Sequence, residues 1–188
     1  MFRQIFISML ALAFSLVIFS CEREKQNQPT ESVADVEEAP SQYEHLKELE
    51  WMIGSWVDAE DDVDVKTESY WFRNKNFLIH QFIVNDEGRT DFEGEQFIGW
   101  DPEAEKIRSW LFDSDGGFGE GTWTKRGESW VVEVTQTLAD GSRASATQIY
   151  KPVNATSYTW EATDREVDGE LLPDIEPVTI VRKSGESQ

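Results

Sequence analysis

Few side chains in this chain are suited to chemistry. Its 188 residues include two histidines, His45 and His80, and one cysteine, Cys21. His80 stands between Ile79 and Gln81 in an apolar run. That setting reads as a hydrogen-bonded histidine lining a core, ahead of a metal ligand or a base. His45 falls among acidic residues and reads as solvated. The densest titratable group is Arg108, Asp113, Asp115 and Glu120, around one expected hairpin. Acid–base catalysis needs such groups to converge in a cavity; the plainer reading is an ion pair closing one end of the fold. A buried Arg108 beside Trp110 needs a carboxylate partner, from the protein or from a ligand.

Two acidic stretches, 58–64 and 113–117, attract cations on composition alone. The second opens like a calcium loop, but the oxygen ligand at position five and the Glu at position twelve are missing. Both read as solvated loops, and no metal or cofactor is expected. No nucleophile elbow, P-loop, HExxH or dinucleotide fingerprint is present.

Tryptophan is the more telling residue. Trp56, Trp71, Trp100, Trp110, Trp123, Trp130 and Trp160 all fall in or at expected strands. Some are packing, since the indole buries a large area while its N–H seeks a partner. An aromatic-lined pocket is the other use, suited to a flat or apolar ligand oriented by Gln96, Arg108 or His80. Strand parity puts Trp100 on one face with Gln96, and Trp110 on one face with Arg108. The expected ligand-binding set is therefore Trp56, His80, Gln96, Trp100, Arg108 and Trp110. Which faces point inward is left open, because several strands are apolar on both.

Charge narrows the partners. Acidic residues outnumber basic ones 37 to 17, giving a net charge of −20 and a pI of about 4.3. Nucleic acids and anionic bilayers would be repelled, and casual self-association is disfavoured, so a monomer is expected. At 12% aromatic the chain is too apolar to be an acidic disordered one. A single Cys excludes an internal disulfide framework, a Cys-rich zinc site and a CxxC pair.

The elements that must position these residues are almost all strands. Tyr43, Leu46, Leu49 and Met52 recur at helical spacing, with Ser41 placed to cap the start and Gly54 to end the helix. Val63, Val65 and Thr67 then alternate with charged residues, as in a half-buried strand. Turn residues at roughly ten-residue intervals bound further strands at 77–85, 90–100, 107–113, 118–125, 129–138, 142–151 and 156–164. A longer loop with Gly169 and Pro173 precedes a last strand, 177–183. The expected fold is all-β: about ten antiparallel strands in a meander, with one short N-terminal helix. Short links force antiparallel neighbours, and closure into a barrel removes the edges. An open sheet or sandwich is the alternative.

The N-terminus gives an address. Arg3 precedes an apolar stretch at 5–19, too short for the roughly 20 residues that span a bilayer. Its end, Ile18-Phe19-Ser20-Cys21, resembles a bacterial lipobox. That resemblance implies cleavage before Cys21, lipidation of Cys21 and anchorage in the cell envelope, with the membrane touched only through the lipid. Residues 22–42, acidic and poor in large apolar groups, read as a flexible tether. The domain is then 43–184, with 185–188 as a tail.

Gly54-Ser55-Trp56, directly after the short helix, resembles the Gly-x-Trp opening of lipocalins and other calycins. With the stretches Gly94 to Pro102 and Ile107 to Gly121, the chain resembles an uncharacterised bacterial lipocalin-like domain over most of 46–183. The resemblance implies a calycin-type barrel with Trp56 closing one end, and no established activity. Nitrobindin-type haem barrels match poorly, because no His follows His80. The expected function is non-catalytic binding of a small apolar or aromatic ligand. Its rivals are a barrel enzyme using the Arg108/Asp113/Glu120 region or His80, and a filled barrel acting as a protein-interaction module.

Overall fold

The structure is a computed structural model that describes residues 40–59, 64–86 and 89–183. The lipobox, Cys21 and most of the 22–42 tether lie outside the described residues, as does the centre of the acidic 58–64 stretch. Among the described residues, α1 (Tyr43–Leu46) runs into a 3-10 segment (Lys47–Met52). The strands follow as β1 (Gly54–Asp58), β2 (Asp64–Phe72), β3 (Phe77–Asp86), β4 (Arg89–Asp101), β5 (Lys106–Asp113), β6 (Phe118–Arg126), β7 (Ser129–Thr137), β8 (Arg143–Asn154), β9 (Ser157–Val167), β10 (Glu170–Leu171) and β11 (Ile175–Arg182).

Every ladder is antiparallel, and β8 pairs β9 while β11 pairs both β9 and β1. Ten strands therefore close on themselves, leaving β10 as a two-residue flap on β9. The meander and its closure agree with the sequence reading. β10 lies in what reads as a loop from Gly169 to Pro173. Pro152, read as a turn, lies inside β8 at a register shift before Asn154, and Pro177 at another in β11. A bulge is where a strand tolerates a missing N–H.

The helix differs in detail. Tyr43 N donates to Ser41 Oγ at 3.1 Å, but Ser41 stands one residue before the N-cap, Gln42. Gly54 does not end the helical segment: Ile53 is already extended, and Gly54 opens β1 at φ +115°, where the Arg182 guanidinium occupies the place of a side chain.

This segment plugs one end of the barrel. Leu46, Leu49 and Met52 are buried against Trp56, Leu78, Ile98, Trp123 and Val132. Trp56 is 2% exposed, and its Nε1 donates to Met52 O at 2.8 Å. Arg182 on β11 lies 4.0 Å from the Trp56 ring centroid, and donates to Ile53 O at 2.7 Å and Trp51 O at 3.3 Å. The guanidinium thus ties the last strand to two backbone carbonyls at the end of the plug and covers the face of Trp56.

Candidate functional site

Above the plug the barrel is hollow. A cavity of about 290 Å³ lies among β2, β3, β4, β5, β7, β8, β9 and β11. Its apolar walls are Val65, Phe82, Val84, Phe92, Leu111, Trp160 and Ile180. Its polar groups are Thr67, His80, Gln96, Gln136, Gln148, Tyr150 and Tyr158, so among the described residues no acidic or basic side chain other than the histidine lines it.

A row of cross-strand partners supplies the deepest polar groups. Ser69 on β2 stands opposite His80 on β3, and His80 stands opposite Gln96 on β4. Ser69 Oγ is 2.8 Å from His80 Nδ1. Gln96 Nε2 donates to Ser109 Oγ at 2.9 Å, and Trp123 Nε1 donates to the same oxygen at 3.0 Å. Exposure is 2% at Ser69, 6% at His80, 7% at Gln96 and 0% at Ser109. Gly121, opposite Ser109 on β6, leaves room for this hub: a Cβ there would come within 2.6 Å of Ser109 Oγ.

Burial sets the protonation of the site. It lowers the His80 pKa to about 4, so the ring is neutral at pH 7. It pushes the Tyr158 phenol up to about 12 and raises Tyr150 as well, so both keep their protons. Tyr150 OH donates to Gln148 Oε1 at 3.0 Å. A neutral imidazole and two neutral phenols form hydrogen bonds but carry no charge to a ligand.

The structure brings together two of the six expected ligand-binding residues, His80 and Gln96. Trp56 belongs to the packed plug. Trp100 follows Gln96 and Ile98 on the inner face of β4, but lies beyond the cavity, stacked at 4.0 Å on His45. His45, read as merely solvated, is exposed and supports that indole. Arg108 and Trp110 face outward, because Ile107 and Ser109 take the inner positions of β5. Arg108 donates to Asp101 Oδ2 at 3.4 Å and is paired with Glu120 on the outer wall.

The suggested acid–base cluster is thereby divided. Arg108 and Glu120 stand outside, while Asp113 alternates with Ser109 and Leu111 on the inner side. Asp113 Oδ1 accepts from Asp115 N at 3.1 Å and Gly117 N at 2.8 Å, and Oδ2 accepts from Gln136 Nε2 at 2.7 Å. This carboxylate holds its own turn and one cavity glutamine.

Sequence reading missed Phe82, Phe92, Gln148, Tyr150 and Tyr158 as cavity residues. One signal was available: once His80 is inside, period-two alternation carries Phe82 and Val84 inside with it. What hid it is the outer wall. Tyr70 pairs with Ile79, Ile79 with Phe97, and Phe97 with Trp110, while Phe112 pairs with Phe118. This outer aromatic face leaves Phe112 58% and Phe118 53% exposed, yet seals Ile79 to 1%. No family model matches the chain, and no curated protein matches it.

Proposed function

We propose that this barrel binds a small apolar or aromatic molecule in its interior without transforming it, as a lipocalin-like carrier or sensor anchored in a bacterial envelope through Cys21. The observation that carries this reading is the 290 Å³ cavity held open above a packed plug. Its size is at the small end of ligand sites, which run from roughly 300 Å³ upward. Half of its lining residues are apolar aromatic or aliphatic side chains, so the apolar body of a ligand leaving water gains burial against them. The mechanism is enclosure: Phe82, Phe92 and Trp160 provide contact area, and His80 and Gln96 orient. The chain works as a monomer in this reading.

Native mass spectrometry of the full chain purified gently from envelope membranes tests it. A reproducible bound small mass, released on unfolding, is the expected result. A bare chain that also ignores added apolar probes would reject it.

A second reading rests on the outer aromatic face of β2 to β6. Exposed Tyr70, Phe72, Phe112 and Phe118 beside Glu68 and Glu120 suit a protein partner offering apolar groups flanked by basic ones. Closure of the barrel leaves such a partner to dock on side chains, since the ten-strand ring offers no free edge.

A further inference from the structure

We infer that the cavity selects an uncharged, flat ligand with a hydrogen-bonding edge, a lactam-like or amide-like donor beside an acceptor, read by His80 Nε2 and the Gln96 carboxamide oxygen. This rests on interior binding as proposed above and names the ligand class.

His80 and Gln96 are direct partners across β3 and β4, so their side chains emerge side by side on the inner face. Each has one end already committed. His80 Nδ1 is held by Ser69, and Gln96 Nε2 by Ser109. Among the described residues neither His80 Nε2 nor Gln96 Oε1 has a protein partner, and both side chains line the cavity. Both atoms face open cavity space, where water can meet them, whereas Thr67 Oγ1 on the same wall is sealed without a partner among the described residues. A plain hydrocarbon that displaces the water leaves His80 and Gln96 unmet, and a ligand that returns the hydrogen bonds gains over it.

Ser69 makes the histidine adaptable. A serine hydroxyl both donates and accepts. When Ser69 donates to Nδ1, Nε2 carries the proton and meets a ligand carbonyl. When Ser69 accepts from Nδ1, Nε2 is the acceptor. Gln96 Oε1 accepts in either case and meets a ligand N–H or O–H.

Charge is refused on both signs. Among the described residues no cation lines the cavity to receive a carboxylate: Arg108 is outside with Asp101 and Glu120, and Arg182 is spent on the plug. Among the described residues no carboxylate lines it either; Asp113, the acid bound to a lining glutamine, is committed to its turn and to Gln136. An ion entering would lose its water with nothing to replace it. The low pKa of His80 agrees, since an anion at pH 7 finds a neutral ring.

Three bicyclic probes of like size separate the possibilities: naphthalene, 2-quinolone and 2-naphthoate, titrated into the full chain by calorimetry at pH 7. The expected order is 2-quinolone tightest, by about fivefold or more over naphthalene, the worth of one net hydrogen bond, with 2-naphthoate weakest. Gln96→Met should shrink the advantage of 2-quinolone over naphthalene, read as the ratio of the two affinities within the variant; a thermal melt confirms the variant is folded. Equal binding of 2-quinolone and naphthalene would overturn the polar edge while leaving interior binding intact. Tightest binding by 2-naphthoate would overturn the uncharged class. Failure of all three would remove the cavity reading on which the inference stands.

Discussion

Ser69 and His80 face each other across β2 and β3, with Oγ 2.8 Å from Nδ1 and both side chains almost wholly buried. The pair is made possible by register: the nine-residue β2 runs beside β3 without a shift from Asp64 to Phe72. The hydroxyl gives one imidazole nitrogen a partner inside the wall and aims the other at the cavity. His80 is therefore a fixed fitting of the barrel interior, and its behaviour can be tested without knowing the ligand.

Ser69→Ala removes that partner and leaves Nδ1 buried and unsatisfied. Urea unfolding should show a loss of about 1–3 kcal/mol, the cost of a stranded buried polar group. Loss below the detection limit would mean that the hydroxyl does not hold the ring.

The pH dependence has a definite sign. His80 titrates near 4 in the fold against an ordinary value of 6.5, because burial disfavours the imidazolium. Below pH 6.5 the unfolded chain takes up a proton that the folded chain refuses, so stability falls as pH drops from 6.5 towards 4. For one proton the slope is about 1.4 kcal/mol per pH unit, or roughly 3 kcal/mol across the window. Denaturant midpoints measured over that range should fall less steeply in His80→Gln than in the parent. Parallel curves would show that His80 is not buried neutral.

Gly121→Ala tests the hub on the opposite wall. The added methyl would press on Ser109 Oγ at 2.6 Å and Val132 Cγ1 at 3.0 Å, where the acceptor for Gln96 and Trp123 sits. A destabilisation of about 1–3 kcal/mol is expected from overpacking. Near-ultraviolet circular dichroism should report a changed Trp123 signal, and an unchanged signal with full stability would contradict the packing described.

Arg108→Gln is the contrasting case. Arg108 bonds Asp101 and Glu120 on the outer wall, partly in solvent, so stability should change by less than about 1 kcal/mol. Titration with 2-quinolone should give the parent affinity. A large loss of affinity would put Arg108 in the site after all.

The architecture was legible because its signals are local. Val65 and Thr67 alternate with charged residues, turn residues recur at short intervals, and short links leave antiparallel pairing as the only neighbour arrangement. The short helical segment was legible too, from Leu46, Leu49 and Met52 at helical spacing, though its 3-10 second half and its place inside the barrel end were not. The site was only half legible. A strand shows its inner face by contrast with a polar outer one, and β2 to β5 carry Tyr70, Ile79, Phe97 and Trp110 outside. Arg108 and Trp110 were correctly placed on one face, and the choice between inside and outside then lacked a cue. Tyr150 and Tyr158 converge with His80 only through closure of β8, β9 and β11, pairings that no short stretch of sequence records.

The most direct test of interior binding is a crystal of the full chain soaked with iodobenzene, located by the anomalous signal of its iodine. The expected result is one strong peak inside the barrel, between His80, Gln96 and Trp160, with the outer face of Phe97 and Phe112 empty. Iodine on that outer face with the interior unoccupied would contradict the account, and would move the function of this barrel to its surface.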